Sequence, residues 1–212
     1  ALGPDNVHGI SLPSKYSSDH SLKDAKNLAT SLGIDYKVIP IQNSVDEIEN
    51  TLRPHFQGHP PNVAEENIQA RIRGDILMAL SNKFGWMVLS TGNKTEMALG
   101  YCTLYGDMSG GLSVISDINK LDVYALSNWI NTIHPGRIPK GSIDKLPSAE
   151  LSPGQVDPFD YDIVSPIVDA IIEDGKTDID LKITGLEKKL VDLLHRKVKL
   201  SEFKRRQAAP GL

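Results

Sequence analysis

Trp86-Met87-Val88-Leu89-Ser90-Thr91 is a nearly continuous apolar run that opens directly onto Gly92-Asn93-Lys94-Thr95-Glu96. So short a run, without polar and apolar alternation, predicts a strand covered on both faces in a parallel sheet. Working outward, residues 65–84 set Ile68, Ile72, Ile76 and Ala79 on one side of a long helix, which Gly85 ends. Residues 7–13 read as a strand ended by Pro13. Residues 19–32 follow with Leu22, Ala25, Leu28, Ala29 and Leu32 at helical spacing and Gly33 as the stop. Residues 35–41 form the next expected strand, and Ser44-Val45-Asp46-Glu47 has the pattern of a capping box opening a helix to about Phe56. The loop Gly58-His59-Pro60-Pro61 leads into the long helix.

Strands and helices alternating in this way predict an α/β layered sheet, whose ligands sit beyond the carboxyl ends of its strands. Attention therefore falls on the loops after Pro13, Ile41 and Thr91. Downstream, residues 122–133 predict a helix, and the Pro- and Gly-rich residues 134–166 read as a lid-like functional loop or a poorly ordered connection. Residues 167–173, 186–198 and 201–207 predict further helices. No repeat or linker divides the chain, which reads as one domain over 1–212.

The 212 residues are 40% hydrophobic and 24% charged, so the chain can bury a core of its own and is not a disordered or low-complexity sequence. With 23 basic residues against 27 acidic ones, the net charge of -4 argues against bulk attraction to nucleic acid or to anionic lipid. An anionic ligand must therefore be met by local positive charge. No apolar run approaches the roughly 20 residues that a membrane helix needs. The lone Cys102 cannot form an intrachain disulfide and Ala1-Leu2-Gly3-Pro4 is no export signal, which points to a cytoplasmic protein. The absence of an initial Met suggests a processed or truncated polypeptide.

On the long helix, Asn67, Arg71, Gly74 and Met78 share one face at about 100° per residue, with Arg73 nearly opposite. An amide, a forked guanidinium and a Gly that leaves room suit a planar anionic ligand. A solvated face with Gly74 easing a helix crossing explains the same pattern. After the apolar run, Thr91 to Glu96 would hold a phosphate with backbone N–H groups and a hydroxyl, Glu96 reaching a divalent cation. Equally, Asn93 or Thr95 would cap a helix there. Cys102 reads as a small apolar filler, Lys120 alone as surface charge, and Phe203-Lys204-Arg205-Arg206 alone as a solvated basic face.

Taken together, Glu66-Asn67-Ile68-Gln69-Ala70-Arg71, Thr91-Gly92-Asn93-Lys94-Thr95-Glu96, Gly100-Tyr101-Cys102-Thr103-Leu104-Tyr105-Gly106-Asp107, Asn119-Lys120, Pro147-Ser148-Ala149-Glu150-Leu151 and Phe203-Lys204-Arg205-Arg206 resemble the synthetase domain of NAD synthetases, the glutamine-dependent branch more than the ammonia-dependent one. The resemblance covers nearly the whole chain. It implies a Rossmann-like parallel sheet of the ATP-pyrophosphatase type, at least dimeric. The implied reaction takes deamido-NAD, ATP and ammonia to NAD, AMP and pyrophosphate through an adenylate, with Mg2+.

Carried over by position, the resemblance assigns Thr91, Lys120 and Ser148 to ATP. It assigns Asn67, Arg71, Glu96 and Lys204 to deamido-NAD, with Glu96 also at Mg2+. The family often has Thr where this chain has Ser148, and the contacts that its short branch makes at the positions of Leu104 and Phe203 are not carried over. Members also carry a Ser-Gly-Gly-x-Asp-Ser loop after their first strand. Here Ser109-Gly110-Gly111-Leu112-Ser113 imitates only part of it and reads as a flexible Gly turn. The expectation is a synthetase domain lacking its first strand and pyrophosphate loop, catalytically crippled as it stands, with 134–166 as a mobile lid. The rival expectations are a non-catalytic dinucleotide-binding or assembly module and a related ATP-pyrophosphatase amidating another acceptor.

Overall fold

The computed structural model describes residues 2–176 and 188–212. The chain divides into two compact units, Ala1–Arg73 with Tyr124–Pro158, and Gly74–Val123 with Phe159–Leu212. Each unit is assembled from two separate stretches of chain, so no linker composition marks the boundary.

In the first unit, β1 (His8–Ser11) and β2 (Asp35–Val38) pair in parallel, His8 opposite Asp35 and Ser11 opposite Val38. Between them runs α1 (Asp19–Leu32), for which Ser18 is the N-cap, its hydroxyl accepting from the Ser21 N–H, while Gly33 in the left-handed region ends the helix. These boundaries follow the sequence because spacing, cap and stop are all local. The next helix does not. Helix α2 (Gln42–Leu52) begins two residues before Ser44, so no capping box forms there. Gln42 ties the entry instead, its Oε1 accepting from the Lys15 N–H at 2.8 Å and its amide donating to Asp46 at 2.7 Å. The α-helix ends before Pro54, which sits in the 3-10 turn Arg53–His55.

Helix α3 (Val63–Phe84) buries Ile68, Gln69, Ala70 and Ile72, while Ala79 is exposed. In the second unit, β3 (Leu89–Ser90) pairs in parallel with β4 (Leu112–Ser113). The expected doubly covered strand is corrected here: Ser90 is buried, but Met87 is 67% exposed and Leu89 43%. Residues 109–113 are corrected too. Gly111 N–H donates to Val88 O at 2.8 Å, and a Cβ on Gly110 would stand 2.9 Å from that same oxygen, so the Gly pair lets β4 close onto β3 and is no flexible turn.

Helix α4 (Lys94–Leu99) packs with α7 (Tyr161–Ile172), α8 (Lys188–Leu200) and α9 (Glu202–Arg205). Their shared core is Ala98, Leu99, Val164, Ile167, Val168, Val191 and Leu194. Residues 186 and 187 of the expected 186–198 helix lie outside the described residues. Helix α5 (Lys120–Ile133) starts two residues earlier than its apolar pattern, because Asn119 caps it by accepting from the Asp122 N–H at 3.0 Å. The stretch 134–166 carries regular structure of its own. It contains α6 (Lys140–Asp144) and the first turns of α7, including an exposed Pro166 inside the helix.

Candidate functional site

In the second unit the Thr91–Glu96 loop leaves β3 with Thr91 exposed and turns at once into α4. The Asn93 side chain accepts from the Glu96 N–H at 3.1 Å, and Glu96 Oε2 accepts from the Asn93 N–H at 3.0 Å. This reciprocal capping box fixes the orientation of Glu96. The carboxylate's other oxygen, Oε1, meets the Lys120 ammonium at 3.2 Å, both side chains being about four-fifths buried at 19% exposure. The capping expectation for the loop is therefore met by Asn93, and the same carboxylate pairs with Lys120.

Lys120 stands on the first residue of α5, where a cation opposes the helix dipole and an anion is favoured. Glu96 supplies that anion here, and a phosphate would do the same. The Lys120 ammonium also lies 5.4 Å from the centre of the Tyr161 ring. Lys94 of the same loop is held by Asp169 at 3.1 Å and by Glu173. Burial works against its charge, but these two carboxylates outweigh burial and hold its pKa above the ordinary lysine value.

Lys204, on α9, donates to Gly100 O at 2.8 Å and to Cys102 O at 2.6 Å, while Arg205 donates to Ala98 O at 2.9 Å and Val198 O at 2.7 Å. The basic cluster is thus no simple solvated face. Its two middle cations satisfy carbonyls at and just past the end of α4 and in the last turn of α8, where positive charge complements the dipole. Arg206 alone behaves as surface charge, pairing with Glu202. Burial pushes the Cys102 thiol up to about 11, consistent with a filler and not a nucleophile.

In the first unit, Asn67 is half-buried and Arg71 exposed on α3. Gln69, missed by the sequence reading, is 2% exposed and donates to Leu151 O at 2.8 Å. Arg73, nearly opposite the face of Asn67 and Arg71, donates through Nε to Leu12 O at 2.9 Å, just past β1. Burial lowers the pKa of its guanidinium while the negative Glu150 opposes the fall.

Ser148 sits in a loop bonded to itself, donating to Gln155 O at 2.5 Å and accepting from the Glu150 N–H at 3.1 Å. Glu150 itself adopts a φ of 49°, and its carboxylate accepts from the Ser18 hydroxyl at 2.8 Å, the Ser21 hydroxyl at 2.9 Å and the Ser18 N–H at 3.2 Å, and pairs with Lys145. This anchor was invisible in the sequence because it joins positions about 130 residues apart.

The structure thus brings Glu96 and Lys120 together, places Thr91 on the same loop as Glu96, and commits Lys204 to backbone carbonyls. Asn67, Arg71 and Ser148 belong to the other unit. Among the described residues no group of three or more His, Cys, Asp or Glu side chains could hold a metal ion. Glu96 fits a single ligand to a cation that brings phosphate and water with it, which is how Mg2+ is commonly held. No helix among the described residues is long and apolar enough to cross a membrane.

A family model described as NAD synthase matches residues 1–208. The glutamine-dependent NAD(+) synthetase of Synechocystis sp. is 49% identical over 215 residues, a match taking in 100% of this chain and 38% of that protein. The structure of glutamine-dependent NAD+ synthetase from Acinetobacter baumannii in complex with ADP aligns with a TM-score of 0.68 at 38% identity, covering 98% of this chain and 38% of that one. The structure of NMN synthetase from Francisella tularensis aligns with a TM-score of 0.76 at 25% identity, over 93% of this chain and 75% of that one. The chain therefore spans 38% of the length of the Synechocystis relative.

Proposed function

Because the chain belongs to the NAD synthase family, we propose that it is the synthetase part of an enzyme amidating deamido-NAD to NAD. Carboxylate is a poor electrophile, so ATP is spent to activate it. The nicotinate carboxylate attacks the α-phosphorus of ATP, pyrophosphate leaves, and ammonia displaces AMP from the resulting adenylate. Charge builds on phosphate oxygens in the first step, so fixed positive groups and positioning carry the catalysis.

The observation that carries this reading is the Glu96–Lys120 pair, 3.2 Å apart on the loop leaving β3 and the first residue of α5. Lys120 offers its ammonium to the triphosphate, and Thr91 and the Ser148 hydroxyl complete the ATP contacts. Mg2+ enters with ATP as part of the substrate, Glu96 lending it one oxygen. Asn67, Arg71 and Glu96 hold deamido-NAD. Lys204 contributes to that site with the one N–H of its three that the Gly100 and Cys102 carbonyls leave over. Ammonia arrives free or from a glutaminase domain, the enzyme works in the cytoplasm, and it assembles at least as a dimer. Residues 134–166 act as the lid, with Ser148 as the part that meets ATP.

The test is NAD formation from deamido-NAD, Mg-ATP and ammonium by the polypeptide as its gene encodes it. Arg71→Ala should weaken deamido-NAD binding by about 2–3 kcal/mol, the loss of a charge-assisted hydrogen bond. Unchanged affinity in a titration would sink the assignment of Arg71, and no NAD from the unsubstituted protein would leave a non-catalytic binding module. The solved relative named NMN synthetase supplies the second arm. The acid form of NMN as acceptor, consumed faster than deamido-NAD, would change the acceptor and keep the chemistry.

A further inference from the structure

Thr95 and Ser165 are both 0% exposed, and their hydroxyl oxygens lie 3.1 Å apart. They face each other from α4 and α7, beside a core otherwise made of Ala98, Leu99, Val164, Ile167 and Val168. A buried hydroxyl is unfavourable unless it is hydrogen-bonded, and an apolar pair would fill this space without that demand. The two oxygens therefore need a reason to be there.

Their reason lies one step further on. Thr95 Oγ1 accepts from the Lys120 N–H at 3.4 Å, and the Lys94 N–H donates to Ile118 O at 2.9 Å, so the first turn of α4 is stitched to the start of α5. The residue after Thr95 is Glu96, whose carboxylate meets the Lys120 ammonium. Adjacent residues thus hold the two ends of one lysine, Thr95 its backbone and Glu96 its side chain. Helix α7 grips the same place twice. Ser165 reaches it through Thr95, and Asp169, one turn along, accepts from the Asn119 amide at 2.6 Å. Asn119 is also buried and bonded to Asp122 at 2.8 Å, which leaves the backbone ahead of Lys120 little freedom.

We propose that Thr95 and Ser165 are positioning residues for the reaction: their buried hydroxyl pair fixes the backbone of Lys120 so that its ammonium stands ready for the phosphates of ATP. This rests on the assignment of Lys120 to ATP made above. Both side chains are 0% exposed and so out of reach of a substrate, and their effect on the reaction runs through Lys120.

The experiment is steady-state kinetics with Mg-ATP, deamido-NAD and ammonium on the gene-encoded polypeptide, with melting temperature followed for every variant. Thr95→Val keeps the shape of the side chain and should raise KM for ATP about tenfold, leaving KM for deamido-NAD within about twofold. Thr95→Ser, which keeps the hydroxyl, should restore KM to within about twofold of the unsubstituted protein. In a Lys120→Ala background the same Thr95→Val should add less than about twofold, because the group through which it acts is already gone.

A merely structural threonine would instead lose stability and add its effect equally in both backgrounds. Equal effects in both, an unchanged KM for ATP, or failure of Thr95→Ser to rescue would each overturn the proposal. Should Thr95→Val fail to fold, Ser165→Ala decides. Alanine is a good helix former on α7, and this variant must raise KM for ATP about threefold in the Lys120 background alone. The two levels stay distinct: no NAD from the unsubstituted polypeptide removes the functional reading and this inference with it, whereas NAD production with kinetically silent hydroxyls removes only the inference.

Discussion

Gly74→Ala sets two magnitudes against each other in the middle of α3. Alanine is the better helix former by about 1 kcal/mol, so propensity alone predicts a stabilised protein. A Cβ at this position, however, would stand 2.8 Å from Tyr105 O, 3.0 Å from Gly106 O and 3.0 Å from the Ser109 hydroxyl. Two of these neighbours are backbone carbonyls of one turn, so the turn as a whole must retreat by a few tenths of an ångström. That turn has little slack. Tyr105 has a φ of 63°, Thr103 N–H donates to Asp107 at 2.7 Å, and the Ser90 hydroxyl donates to Asp107 O at 3.1 Å. Overpacking of this kind costs about 1–3 kcal/mol, so crowding exceeds propensity and the expected net loss is about 1 kcal/mol. For a domain of this size that lowers the melting temperature by about 2–4 °C. Urea unfolding at constant m gives the difference from the midpoint. Ala79→Gly, at an exposed position of the same helix, measures the propensity term alone. A Gly74→Ala protein as stable as the parent, or more stable, would refute the argument that close approach explains this glycine.

Glu150→Ala removes an acceptor for Ser18, Ser21 and Lys145 and should cost about 2 kcal/mol, while Glu150→Gly should cost about 1 kcal/mol less, because φ is 49° there. Burial works against ionisation of Glu150, but Lys145, Ser18 and Ser21 outweigh it and hold its pKa below the ordinary value. Its stabilisation is therefore complete above the usual carboxylate range, near about pH 4.3, and is lost as pH falls through the lowered value. Melting curves of the parent and Glu150→Gln should converge in acid, and a pH-independent gap would contradict this. Lys204→Met should destabilise the protein by about 2 kcal/mol by stranding the Gly100 and Cys102 carbonyls. A variant with unchanged melting temperature would show that clamping is not the main work of this side chain. Cys102, with a thiol near 11, should react with iodoacetamide at pH 8 at least tenfold more slowly than a free cysteine, as mass spectrometry would detect. Rapid labelling would remove the buried-thiol assignment.

What was legible in the sequence was local. Helix α1 could be bounded because Leu22 to Leu32 repeat at helical spacing and Gly33 stops it, and the structure adds Ser18 as its cap. The loop Thr91–Glu96 could be found because a strand-like run feeds it. What escaped depended on distant partners. Whether Leu89 is covered is decided by which strands flank β3, and only β4 pairs with it among the described residues. The α2 start moved because Gln42 found Lys15, and the basic cluster on α9 changed meaning because Lys204 and Arg205 found carbonyls about a hundred residues away. Arg73, on the side of α3 nearly opposite Arg71, holds Leu12 by the same token.

The loop after β3 also shows why weighing a structural against a functional explanation, residue by residue, asks the wrong question of a motif. Asn93 caps α4, and the cap is completed by Glu96, whose other oxygen is left to meet Lys120. Had Glu96 been free of the cap, its carboxylate could rotate, and the side-chain entropy lost on meeting a cation would fall due at binding instead of at folding. Capping shifts that cost to the folding reaction, where the helix end needs an acceptor in any case. Thr95 follows the same logic, filling the core while bonding the backbone of α5, as does Lys94, bridging the loop to Asp169 and Glu173 on and just beyond α7. Lys94, Thr95 and Glu96 thus each belong to the first turn of α4 and also tie it to a neighbouring element. A turn that only capped a helix would need the first half of those contacts, and the second half is what distinguishes this loop.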